Sequence, residues 1–361
     1  MKKIIPDEKC NMVILIWPSI YKEKPYWNKI LTIFCKIIII LLEDKNHVLL
    51  VVGDADNGVE KEIENFYKKE ACNITKNKES LLLLNKHLHL VKYNCNDIWV
   101  RDFGPQIAEF QRKNSFFFYE YSFNGYGNKY PHNRDKNFTR FFVREFKKKF
   151  MINIPLRSER PFGDLFIEGG NIQSNDQGAI IFNKRCVQKN NDEDWEAIKP
   201  VFENAITKDY IQKYLFLDLE PLNGDDTNGH LDNFVRLYDN SMLLYMSSND
   251  INHPDFYLLK ELKEQLRILK TKTSIIKELI AIEHTSEDIL KNEQGNILPF
   301  SYLNFIVTNK TMIYPSIGKQ KLNLKESFES IFHDKTVSYV NVEGLLNEFG
   351  GLHCCTLNLM Y

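Results

Sequence analysis

The chain predicts an α/β fold, built as one domain from a repeated unit of short strands and helices. Three observations point there. Short apolar runs closed by turn residues alternate with longer amphipathic stretches. This alternation recurs about every 60–80 residues, the spacing of a repeated supersecondary unit. Polar motifs follow the strands at several points of the cycle. Residues so far apart can share a site only if the units close around an axis, so one domain over 1–361 is expected. Length alone would suggest about two. The repeat is an inference from element order, since no self-similarity of sequence is visible, and no linker is rich in Pro, Gly or Ser.

The elements follow in order. Met12 to Trp17 is an apolar run ended by Pro18-Ser19, as in a buried strand. Trp27 to Leu42 is long enough for a helix packed on it, and Val48 to Val52 ends at Gly53-Asp54 as the next strand. Glu60 to Lys69 reads as an amphipathic helix and His87 to Tyr93 as a strand. An aromatic strand is expected over Phe116 to Phe123 and a basic helix over Phe138 to Phe150. Ala179 to Phe182 is a strand candidate and Asp194 to Ala205 a helix. Met242 to Met246 reads as a strand, Asp255 to Lys270 as a helix. Tyr302 to Thr308 and Thr311 to Tyr314 read as paired strands, followed by a helix over Leu324 to Phe332 and a strand over Val337 to Val342.

Composition excludes several classes. Hydrophobic residues make up 43%, enough for a substantial core. A net charge of -1 gives no general electrostatic case for nucleic acid or an acidic membrane as partner. Seven Cys, at 10, 35, 72, 95, 186, 354 and 355, form no CxxC and no regular framework. That odd count points to a reducing compartment. The start of the chain places charges where a signal peptide needs its apolar region. Ile37 to Leu42, the most apolar run, is far short of the roughly 20 residues that span a bilayer. A soluble, cytoplasmic protein is expected.

Four polar clusters each follow an apolar run and border glycines: Trp99/Asp102, Glu168, His230/Asp232 and Cys354. In an extended segment Asp97, Trp99 and Arg101 point one way, with a turn at Gly104-Pro105. Glu168 precedes Gly169-Gly170, which alone would mark only a turn with an exposed carboxylate. His230 and Asp232 are two apart and on a strand would face the same side. Gly350-Gly351 allows a tight or positive-φ turn that presents Cys354 or Cys355; each alone would read as a buried thiol. Together the clusters supply a thiol, a base and three carboxylates. Carboxylates beside a thiol oppose its ionisation, so the set makes sense with a cationic substrate that neutralises them. A planar guanidinium suits two carboxylates that accept its forked N–H groups. His87 and His89 share a strand face, read as an exposed edge and not as metal ligands.

The motifs DIWVRDFGP, FIEGGN, DDTNGHLDN, PFSYLNF and GGLHCCT, in this order, resemble the agmatine deiminase family. That family lies in the guanidine-modifying superfamily with the bacterial-type peptidylarginine deiminases. The resemblance runs from Trp17-Pro18 to Thr356. It implies a five-bladed, pseudo-fivefold α/β propeller of ββαβ-type units (a pentein). It further implies Cys354 as nucleophile, Asp102 and Asp232 as the grip on the guanidinium, and Glu168 with His230 as the proton-handling pair. Trp99 would line the alkyl path, and Asp226 would meet a distal amine. The implied reaction releases ammonia through a covalent thiouronium on Cys354 and needs no metal and no organic cofactor. Agmatine is the implied small cationic substrate; a homo-oligomer is left open. The chain departs from the family pattern at Pro6 to Cys10 and after Thr356, where the usual Gln-rich ending is replaced by Leu357 to Tyr361.

Three other readings stand beside this one. A deiminase of free or peptidyl arginine would produce citrulline. A non-catalytic protein could keep the fold and bind a polyamine or guanidine. A Cys-His-Asp protease or acyltransferase would leave Glu168 and two guanidinium-type Asp residues without a purpose.

Overall fold

A computed structural model describes residues 2–71, 79–110, 115–156, 162–209, 213–318 and 320–360; Cys72 and Tyr361 lie outside the described residues. The chain divides into two compact units. One comprises Met1–Pro6 with Arg101–Asn304, the other Asp7–Val100 with Phe305–Tyr361.

The first unit holds three small sheets. In one, Gln173–Ser174 lies antiparallel to Ala179–Asn183, and the helices Lys184–Asn191 and Trp195–Asp209 lead to a parallel strand, Lys213–Leu217. In the next, Val235–Tyr238 lies antiparallel to Met242–Ser247, and the helix Phe256–Lys272 leads to the parallel strand Glu278–Glu283. The third joins Lys2–Ile4, Gln106–Phe110 and Ser115–Tyr119 antiparallel. The helix Phe138–Phe150 follows, and a parallel bridge then links Phe118 to Leu156. Strands covered on both faces carry unbroken apolar runs, and Ala179–Asn183 is buried throughout. Its Phe182 packs against Phe162, Phe202 and Tyr214 with ring centroids 5.0–5.8 Å apart.

The second unit holds two sheets. Thr356–Leu359 runs antiparallel to Met12–Ile16, which pairs in parallel with His47–Val52, itself parallel to Leu88–Lys92. The helix Trp27–Glu43 makes the crossover. It buries Ile30, Ile33, Phe34, Ile37, Ile38 and Leu41, the spacing of one helical face. Lys45 at φ 59° then turns the chain into the next strand. The other sheet sets Ile306–Val307 antiparallel to Thr311–Ser316, with the helix Leu322–Ile331 leading to the parallel strand Thr336–Asn341. An antiparallel pair, a helix and a parallel partner strand thus recur in four of the five sheets, and in the remaining one the parallel partner is reduced to the single bridge at Leu156.

Some expectations need correction. His87 ends the helix Glu79–His87 and is buried, while His89 on Leu88–Lys92 is half-buried with its Nε2 3.0 Å from His47 Nδ1. This is an imidazole cluster and not an exposed edge, because His47 on the neighbouring strand comes up against both rings. The strand expected from Tyr302 shrinks to Ile306–Val307, since Ser301 and Asn304 turn away to bond Asn233. Among the described residues, no helix is long and apolar enough to cross a membrane.

Candidate active site

Four of the expected residues meet in the first unit. Asp102 lies in a helical turn, Val100–Phe103, and not in the extended segment expected, because the chain already bends there ahead of Gly104-Pro105. Glu168 ends an extended approach and caps the short 3₁₀ turn Gly169–Asn171. It is 1% exposed, so the exposed-turn alternative fails. His230 stands before another 3₁₀ turn, Leu231–Asn233, which carries Asp232. The pair is therefore not on a strand, and their proximity comes from the turn.

His230 Nε2 lies 2.7 Å from Glu168 Oε2, and its Nδ1 faces Asp102 Oδ1 at 3.6 Å. The two glycines after Glu168 are required by this approach. A Cβ on Gly170 would sit 2.6 Å from His230 Nδ1 and 2.9 Å from Asp102 Oδ1, and one on Gly169 2.0 Å from the Arg101 carbonyl oxygen. With that space clear, the Gly170 N–H donates to Asp102 Oδ1 at 2.8 Å.

Burial and charge act against each other here. Burial pushes Asp102 up to about 7, with Glu168 and Asp232 adding to the rise while His230 and the Gly170 N–H pull it down. Burial disfavours charge on His230 too, but Asp102, Glu168 and Asp232 outweigh it and raise His230 to about 10. The imidazole is thus a cation at neutral pH, held among carboxylates.

Several residues of this cluster escape a sequence reading. Tyr126 donates to Asp102 Oδ2 at 3.0 Å, and its ring lies 6.0 Å from His230. It is held there by a left-handed turn in which Gly125, Tyr126, Gly127 and Asn128 all have φ between 61° and 75°. The Gly-Tyr-Gly-Asn run was the available signal, since such residues tolerate that region. Asn190 donates to Glu168 Oε2 at 2.7 Å and accepts from Asn228 Nδ2 at 2.8 Å. Nothing in the local sequence marks Asn190. Asp226 is half-buried; Tyr130 donates to its Oδ2 at 2.6 Å, and Lys129 Nζ donates to its carbonyl at 2.7 Å. Burial pushes the Asp226 carboxyl up, against the pull of Tyr130.

Trp99 and Cys354 belong to the second unit. Cys354 sits in the turn that leads into Thr356–Leu359. Thr356 Oγ1 donates to the Leu352 carbonyl at 2.9 Å, and His353 Nε2 lies 2.9 Å from Asp7 Oδ2, so the turn is tied at both sides. Cys355 is fully buried with Sγ 3.4 Å from the Leu352 carbonyl, whereas Cys354 keeps 7% exposure. The positive φ expected of Gly350-Gly351 falls instead on Phe349, at 64°. Gly350 is needed for a different reason: a Cβ there would lie 2.3 Å from the Trp99 ring.

Comparisons with known proteins bear on the fold and the family. A curated relative from Enterococcus faecalis, whose name gives agmatine deiminase provisionally, is 25% identical over 284 residues, covering 72% of this chain and 74% of its own length. The solved agmatine deiminase of C. jejuni superposes with a TM-score of 0.77 at 21% identity, covering 100% of this chain and 97% of the other. That of Enterococcus faecalis gives 0.72 at 19%, covering 99% and 95%. These likenesses establish a shared mixed α/β fold. The family model of the Porphyromonas-type peptidyl-arginine deiminases matches residues 6–359, and with the motifs and the buried His–carboxylate cluster this makes the chain a member of that family of guanidino-group hydrolases.

Proposed function

We propose that the protein hydrolyses agmatine to N-carbamoylputrescine and ammonia. The observation that carries this reading is the buried set of Asp102, Glu168 and Asp232 around the His230 imidazolium. Such a set is organised for a planar cation whose N–H groups need carboxylate acceptors. Its chain-wide match to a deiminase family supports guanidine chemistry over protease or acyltransferase chemistry. We infer one catalytic domain over 1–361 with the five ββαβ units as blades of a propeller. The recurrence of the unit in four sheets, and in reduced form in the fifth, supports that arrangement.

In this reading Asp102 and Asp232 grip the guanidinium while Trp99 lines the alkyl chain and Asp226 meets the distal amine. The Cys354 thiolate attacks the central carbon, forming an S–C bond. His230 gives its proton to the departing nitrogen, the C–N bond breaks and ammonia leaves a thiouronium on sulfur. Water then attacks that carbon, His230 with Glu168 takes the water's proton, and the thiolate departs from the ureido product. The difficult displacement is thereby divided into two easier ones. The substrate's positive charge favours the thiolate once the cation is bound and outweighs the desolvation that binding adds.

One observation favours a second reading, in which arginine or a peptide ending in arginine is the substrate. Lys129 Nζ lies between the Asp226 carbonyl and Asn228 Oδ1, and could serve a distal carboxylate. A panel of agmatine, arginine and a peptide with C-terminal arginine, scored for ammonia and ureido product, separates the two. Turnover of agmatine alone, lost in Cys354→Ser, is the expected result. Citrulline from the arginine substrates without carbamoyl product from agmatine would overturn it. Covalent labelling of Cys354 by a haloacetamidine tests for an activated thiol and separates an enzyme from a mere guanidine-binding protein.

A further inference from the structure

We propose that Cys186, His230 and Glu168 form a binding site for one thiophilic divalent cation of the Zn²⁺ class, and that its occupation holds turnover off. The inhibitory half rests on the deiminase reading; the metal site does not.

The donor atoms are the first ground. A sulfur of Cys186, a ring nitrogen of His230 and a carboxylate oxygen of Glu168 all lie within 4.8 Å of one another, and all three residues are buried. Thiolate, imidazole and carboxylate together suit Zn²⁺, whose bonds to them are about 2.0–2.3 Å, and do not suit Mg²⁺ or Ca²⁺, which take oxygen ligands. Three protein donors leave a fourth tetrahedral position for water.

The surroundings are the second ground. Cys186 and Asn190 lie one turn apart on the helix Lys184–Asn191. The Asn190 amide touches two of the three donors, 2.7 Å from Glu168 Oε2 and 3.7 Å from Cys186 Sγ, and Asn228 fixes it from behind. Residues that orient ligands in this way are a regular part of metal sites. Glu168 Oε1 is buried with no hydrogen-bond partner among the described residues. A cation close to the carboxylate would offset that deficit. Burial pushes the Cys186 thiol well up, Glu168, Asp225 and Asp102 push the same way and Lys129 opposes them, so an incoming cation has to displace a firmly held proton.

Metal ligands bind in their deprotonated forms, so entry of the cation releases protons. A His230 nitrogen bound to metal no longer moves protons for a leaving group. Cys186 has no part in the deimination steps above, so the two roles can be pulled apart by mutation.

The test titrates the whole protein with Co²⁺, a spectroscopic stand-in for Zn²⁺. A thiolate-to-cobalt absorption in the near ultraviolet is expected, displaced by Zn²⁺, retained in Cys354→Ser and lost in Cys186→Ala. Zn²⁺ should stop ammonia release from agmatine and a chelator restore it. Cys186→Ala should keep the metal-free activity yet need at least about tenfold more Zn²⁺ for the same inhibition. No thiolate band, or a band that persists in Cys186→Ala and vanishes in Cys354→Ser, overturns the site. If Cys186→Ala fails to fold by circular dichroism, the pair of parent and Cys354→Ser decides: a band lost with Cys354 sinks the proposal and a band retained supports it. A band that follows Cys186 in a protein releasing no ammonia from any guanidine leaves the metal site standing and the deiminase reading fallen.

Discussion

His230 shows how one side chain links site and stability. Its pKa is raised in the folded state to about 10, against an ordinary value of 6.5. A raised folded pKa gives stability that is fully present below the unfolded value and lost as pH rises through the folded one. The thermal midpoint should therefore fall between about pH 6.5 and 10, and His230→Gln should show a flatter decline across that window. Calorimetry or a circular-dichroism melt at several pH values checks this; an identical slope in the variant would refute the assignment. Ammonia release by His230→Gln should drop by about 10²–10⁴-fold, the scale of general acid–base catalysis. Gly170 offers a second residue-level test. A methyl group there enters the space between His230 and Asp102, and a displacement of about 1 Å in such a site can cost about 10²-fold in turnover. Gly170→Ala should thus lose activity by about that factor, whereas Gly163→Ala, which meets nothing within 4 Å but is strained by its φ of +62°, should lower stability and leave turnover of the folded protein unchanged. The acidic residues and His230 were legible through the ordered motifs that carry the family resemblance, and the fold brings Asp102, Glu168 and His230 together. Asn190 was not, because its function arises only where a helix face meets a distant turn.

Elements with a strong period were read well from sequence, and those set by partners were not. The basic helix Phe138–Phe150 has the bounds expected, because its Phe residues repeat at helical spacing and bury Phe138, Phe142 and Phe146. Gln106–Phe110 and Glu278–Glu283 were not anticipated; each carries a Glu or Gln among apolar residues and is a strand because a neighbour supplies the ladder. The left-handed turn around Tyr126 is likewise tertiary in origin. A non-glycine residue with φ 61° costs roughly 1–3 kcal/mol unless its surroundings hold it. Here the Tyr126 hydroxyl bonds Asp102, and the ring packs edge-on to Phe123 and Tyr130. Tyr126→Phe keeps the packing and removes the bond. A hydrogen bond to a charged group is worth about 1.5–3 kcal/mol, so kcat/KM should fall by roughly 10- to 100-fold and the thermal midpoint by a few degrees. An unchanged kcat/KM would show that Asp102 does not rely on this hydroxyl.

At the scale of the whole molecule, the recurrence of one ββαβ unit explains why the motifs are spaced as they are. Each unit ends its apolar strand at a loop, and the loops after the strands carry the polar residues. Strand order could not be read from sequence, since Thr356–Leu359 pairs with Met12–Ile16 from the far end of the chain. Such a pairing is non-local and is specified by complementarity of two buried strands, not by any neighbouring residue.

The close packing of Gly350 on the Trp99 ring has a practical consequence. An indole in contact with the segment that leads to Cys354 is an internal optical gauge of that segment. The chain contains four Trp, so the Trp99 contribution can be isolated by difference. Alkylation of Cys354 should change the emission of the parent protein and leave that of Trp99→Phe nearly unaltered. Stopped-flow fluorescence would then follow the covalent step without a labelled substrate.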